Sequence, residues 1–131
     1  MASAKHRLAA EHSVAFSDVV SEPFVGVYDA ALVTHLGERA SRLGRQLNFR
    51  IQLRRVQDVG RLVEAGVGIA VLSESSVAEL NRPGLVVVRL KEAWTNRRLY
   101  LCARDFSTLT PHASLLAQHL TNAHEDQLNR K

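Results

Sequence analysis

A single cysteine in 131 residues leaves no internal disulfide to brace the fold. No apolar run reaches the ~18 residues that a membrane-spanning helix needs. The opening MASAKHRLAAEHSVAF is positively charged but has no apolar stretch of signal-peptide length, so a cytoplasmic protein without a membrane partner is expected. There is no GxSxG nucleophile elbow and no HExxH zinc helix. Aromatic residues make up only 5%, and Phe49 alone falls among the arginines of the middle third. Those absences leave no organised catalytic constellation, no metal and no cofactor to argue for.

What is present fits one folded domain. The length allows one real core but not two full ones, and 46% apolar with 23% charged residues is ordinary for a globular chain. The net charge is +4 and the pI about 9.8. Arg39, Arg42, Arg45, Arg50, Arg54, Arg55 and Arg61 gather the positive charge. Phosphate contact is one explanation. The preferred one is a solvated helix and strand face that also attracts a small organic anion, because no recognition-helix pattern accompanies the arginines. Cys102, in the strand-like run RLYLCARD, is expected to be a buried core thiol.

The stretch over 48–76, NFRIQLRRVQDVGRLVEAGVGIAVLSESS, reads as strand, helix, strand. Phe49, Ile51 and Leu53 alternate with Arg50, Gln52 and Arg54, predicting a half-buried strand. Val59, Leu62 and Val63 fall at helical spacing, and Gly66 stands where a left-handed cap would close the helix. Residues 67–72 are almost continuously apolar, as in a parallel strand buried on both faces. Such crossovers build small-molecule clefts in open α/β sheets.

Upstream, Ser17 and Asp18 predict one helical turn, PFVGVY a strand with proline at its first position, and Asp29 the cap of a helix. Leu32, Val33, Leu36, Ala40 and Leu43 form that helix's apolar face, and Gly44 closes it. Downstream, the serines at 73, 75 and 76 open a short helix, residues 81–84 make a turn, and 85–90 a strand. Residues 92–97, with Trp94, form a connector to a strand over 98–103. Thr110 and Pro111 start a last helix whose face is Ala113, Leu116 and Leu120, and the polar tail from Asn122 is expected to fray. The order β-α-β-α-β-α-β-β-α implies a three-layer α/β domain with a mainly parallel sheet. Residues 1–15 show no strand or helix pattern and look like a remnant of something preceding.

Individual motifs have plain readings. Gly66-Val67-Gly68 follows a helix rather than opening one, so it is a cap and a close packing point, not a phosphate loop. His112, His119 and His124 lack chelating spacing. Asp58 reads as a helix cap and Glu64 as solvated. The serines are caps first, with Ser73 also a possible anion ligand. Tyr28, Asp29 and Ala30 follow one strand and Val56 and Gln57 the next, where ligands bind in open α/β sheets. The alternative is that these are ordinary caps.

HRLA at 6–9, SVAFSDVVSEPFVGV at 13–27, ALVTHLGERA, VQDVGRLVEAGVGIAVLSESS at 56–76, LVVVRLKEAWTNRRLYLCARD and LTPHASLLAQHL resemble, in order and spacing, the effector-binding domain of LysR-type transcriptional regulators. The resemblance covers nearly the whole chain. Arg7 and Ser73 stand where the family usually has proline. The family's winged helix-turn-helix and the first half of its effector domain have no counterpart in these residues. The resemblance implies half of a type 2 periplasmic-binding-protein-like fold: 1–15 a remnant of the first subdomain, 16–97 the second α/β subdomain, 98–131 a return strand and C-terminal helix. It also implies a small effector at Tyr28, Asp29, Ala30, Val56, Gln57 and Ser73, self-association, and DNA contact only through the missing N-terminal domain. A transporter's solute-binding protein and a small α/β enzyme are the rival readings; no catalytic residue is assigned.

Overall fold

The computed structural model describes residues 1–96 and 100–128. They divide into two compact units, Met1–Asn96 and Arg97–Lys131.

In the first unit, β3 (Pro23–Val27) and β4 (Asn48–Leu53) are parallel, joined by α2 (Ala30–Arg42), and β4 leads into α3 (Val56–Glu64). Residues 67–72 lie along the other side of β3. Their pairing is thinner than a buried strand would give: one parallel bridge, Phe24 with Ile69, held by Ile69 N–H to the Pro23 carbonyl at 2.9 Å and Val25 N–H to the Ile69 carbonyl at 2.8 Å. A side chain at Gly68 would collide with that Pro23 carbonyl, so glycine is required for the approach.

Successive residues of these strands enter different cores. Phe24 and Ile69 pack with Leu36 and Ala40 of α2, whereas Val25 and Ala70 pack with Val59 and Val63 of α3. Side chains alternate across a sheet, so α2 and α3 cover its opposite faces and the three-layer α/β arrangement follows. In β4 the expected alternation fails. The register shifts between Phe24/Val25, so that Phe49 faces Phe24 and Ile51 faces Val25, with Arg50 as the extra residue. One inserted residue reverses the side-chain phase. Phe49 therefore joins the α2 core and Leu53 the α3 core, and Ile51 is 41% exposed.

Residues 1–15 are structured parts of this unit. β1 (Ala2–Ser3) pairs antiparallel with β5 (Leu85–Val86), and β2 (Ser13–Val14) pairs parallel with β6 (Arg89–Leu90). Ala2, Leu8 and Val14 are buried in the α2 core. The single strand expected over 85–90 is thus two short ones, because successive parts of it find different partners; Val87 between them is exposed. α1 (Phe16–Val19) is the expected turn, and α4 (Glu74–Ala78) follows its Ser73 cap.

Glycine caps behave as their positions demand: Gly44 and Gly66 have φ of 65° and 81°. Two acidic residues do not. Asp58 lies in the first turn of α3 rather than capping it, the N-cap being Arg55 without a side-chain bond. It is flanked instead by Arg55 and Arg61 at 3.9 and 3.6 Å. Glu64 is not freely solvated, since Arg82 Nε donates to its carboxylate at 2.7 Å.

In the second unit, the strand expected over 98–103 is not formed by its described part: residues 100–103 carry no strand pairing, and Arg98 and Leu99 lie outside the described residues. Cys102 is consequently exposed, not a core thiol. Asp105 accepts from the Ser107 hydroxyl at 2.7 Å and its N–H at 2.8 Å, which holds its carboxyl below the usual range. α5 (Pro111–Leu128) begins behind Thr110, whose carbonyl accepts from Ser114 N–H at 2.9 Å. It continues past Asn122 instead of fraying there, since Ala123, Glu125, Gln127 and Leu128 are all good helix formers.

Candidate functional site

The parallel register sets the site. Val27 pairs with Leu53, so β3 and β4 end at one edge. Just beyond, Tyr28 N–H donates to the Leu53 carbonyl at 2.8 Å, tying the two strand exits together. Tyr28, Asp29 and Ala30 leave from one exit, and Val56 and Gln57 open α3 after the other. Ser73 lies four residues beyond Ile69, as Tyr28 does beyond Ile69's bridge partner Phe24. All six sequence-predicted positions therefore follow the carboxyl ends of parallel segments.

Asp29 and Ser73 are also held by local chemistry. Asp29 N–H donates to the Val27 carbonyl at 2.8 Å, turning the chain out of β3. Its Oδ1 accepts from Leu32 N–H at 3.0 Å, the capping bond expected from the sequence. Ser73 Oγ accepts from Ser76 N–H at 3.2 Å and meets the Ser75 and Ser76 hydroxyls at 3.0 and 2.8 Å. Ser73 thus spends its hydrogen-bonding capacity largely within its own turn. Gln57 is exposed and Val56 half-buried, and Tyr28 is 67% exposed. The edge is an open shelf, with Gln57 and the Tyr28 hydroxyl presented to solvent. Arg54 and Arg55, exposed between β4 and α3, add positive charge beside it.

Nearby, Ala30, Ala31, Thr34, His35 and Glu38 border a shallow hollow along α2. Sequence reading did not single out His35, counted Arg39 only among the arginines of a charged face, and treated Glu92 and Trp94 as part of a connector. Three of them converge: Trp94, in a 3-10 turn over Ala93–Thr95, contacts His35 and Arg39 of α2. The available signals were a lone tryptophan and the one-turn spacing of His35 and Arg39.

No helix among the described residues is long and apolar enough to cross a membrane. No curated protein matches the chain. Two solved structures from Pseudomonas aeruginosa are similar in fold: the PA01 protein, assigned to the LysR family of transcriptional regulators, and HinK, a LysR family transcriptional regulator. Each superposes with a TM-score of 0.55 at 22% identity over 70% of this chain. The chain spans 34% and 32% of their respective lengths, about a third. The family model described as the LysR substrate binding domain matches residues 1–125. That match takes in both strand exits and every residue of the shelf, and by it the chain belongs to the LysR substrate-binding domain family.

Proposed function

We propose that this chain senses a small organic effector, anionic in character, for a cytoplasmic LysR-type transcription regulator whose DNA contacts lie in another domain. The reading assigns no reaction and no cofactor to it. One observation carries the site: the 2.8 Å bond from Tyr28 N–H to the Leu53 carbonyl, which joins the two strand exits. Around it, Tyr28, Asp29, Ala30, Val56 and Gln57 form half of a cleft, with Ser73 at its margin. Helix starts at Ala30 and Val56, with Arg54 and Arg55 beside them, favour a negative ligand.

Gln57→Ala in the intact regulator tests this cleanly, because Gln57 is exposed and caps nothing. Losing one hydrogen bond to a charged ligand should raise the half-saturating effector concentration about tenfold with operator affinity unchanged. A wild-type dose response would move the site away from the strand exits.

Self-association is part of the same reading. Leu115, Leu116 and Leu120 of α5 are exposed, and an exposed apolar helix stripe tends to meet a copy of itself. Sedimentation of the chain with and without residues 106–131 decides it. A monomer in both forms at high concentration removes α5 as the pairing element.

A further inference from the structure

The last turn of the first unit is gripped from three sides. The Trp94 ring meets Phe16 edge-on, with centroids 5.4 Å apart and planes at 86°. On α2 it meets His35 at 5.2 Å and 65°, and the Arg39 guanidinium lies 5.3 Å from its centroid. His35 and Arg39 are one helical turn apart, so both reach the same ring. The turn carrying Trp94 is itself tied down: Glu92 Oε1 accepts from Phe16 N–H at 2.5 Å. Thr95 Oγ1 donates to the Glu92 carbonyl at 2.6 Å.

Against these contacts stands a cost in the same place. His35 Nε2, Arg39 Nε and Glu92 Oε2 are buried without a protein hydrogen-bond partner. A buried, unpaired polar atom disfavours the state that buries it. Closing the cluster gains ring and cation–π contacts; opening it lets water reach all three polar atoms. These opposed terms act on the same few side chains. The cluster's position gives it a use. α2 starts at Asp29 and Ala30, and Ala30 and His35 border one hollow. Trp94 stands two residues before Asn96, where the first unit ends.

We propose that Trp94, held by Phe16, His35 and Arg39, is a two-state clasp coupling the Asp29–Ala30 end of α2 to the Ala93–Thr95 turn. The inference rests on the effector-site reading above and names its regulation. An effector that favours the packed position of α2 closes the clasp, and by linkage a closed clasp strengthens effector binding. The unpaired atoms keep the closed state from being locked.

The test uses the 131-residue chain without effector, so its failure is separable from failure of the site. Trp94 is the only tryptophan, and acrylamide quenching of its fluorescence reads the clasp directly. Hydrogen exchange at Leu32 and Val33, whose amides bond the Asp29 side chain and carbonyl, reads the start of α2. Val63, buried on α3, is the control. Arg39→Ala should open the clasp, raising the quenching constant and the Leu32 and Val33 exchange rates about threefold while Val63 keeps its rate. His35→Phe retains an aromatic edge and removes an unpaired nitrogen. It should shift quenching and both α2 amides the opposite way, about twofold. Quenching that moves without the α2 amides in both variants overturns the coupling. So does Val63 exchange that moves in step with them, which marks general destabilisation.

Discussion

Helices α2 and α5 both begin behind a capping side chain and both carry an apolar stripe, yet the two stripes meet different surroundings. Leu36 and Ala40 of α2 are 2% and 0% exposed, whereas Leu115 and Leu116 of α5 are 67% and 58% exposed. The local signals are of similar quality: Asp29 before Ala30 in one case, Thr110 before Pro111 in the other. α2 lies on a sheet face where Phe24, Phe49 and Ile69 supply apolar neighbours. An amphipathic pattern makes a helix, but a facing surface is needed to turn the stripe into stability.

Truncation of core and stripe should separate the two regions most widely. Phe24→Ala removes a fully buried ring shared with Phe49 and is expected to cost about 3–5 kcal/mol in denaturant unfolding. Leu116→Ala in α5 should stay within about 0.5 kcal/mol, as for other exposed positions. Equal costs at both positions would erase the contrast and mean that the α5 stripe is buried in solution.

The second way to sharpen the comparison is through pH. In the 131-residue chain taken with a free amine, Met1 donates to the Ala70 carbonyl at 2.9 Å, and burial lowers the amine pKa from 8.0 to about 6. The folded chain therefore releases this proton at a lower pH than the unfolded chain does. Its contribution to stability is present above pH 8 and is lost as pH falls to about 6, by at most about 2–3 kcal/mol. Urea midpoints at pH 6 and 8, compared between free and acetylated amines, isolate the effect from the histidines. A free-amine chain with no excess loss at pH 6 would place Met1 in water rather than beside Ala70.

Much of this was legible in the residues because its causes are short-range. Asp29, Gly44, Gly66, Ser73 and Thr110 mark helix ends through bonds or dihedrals reaching only a few positions, and each marks an end where expected. The six shelf residues were legible for a related reason. Once strand and helix alternate in parallel, their junctions must fall at one edge. Whether that edge binds an effector is a further matter, and Gln57 is where it is tested. The Trp94 cluster was not legible, since nothing in AWT announces which helix will face its ring.

The sequence by itself determined where the five α-helices fall, the caps at Asp29, Gly44, Gly66, Ser73 and Thr110, the parallel crossover and the family. Only the tertiary structure decided the bulge at Arg50 that sends Phe49 and Leu53 to opposite cores, and the division of 85–90 between Ala2–Ser3 and Ser13–Val14. It likewise decided the burial of residues near the start of the chain and the exposure of Cys102. The physical reason is range. A cap or a helix stripe is specified by residues within a turn or two, whereas a ladder partner comes from a distant segment. Which segment lies alongside depends on how the whole unit packs.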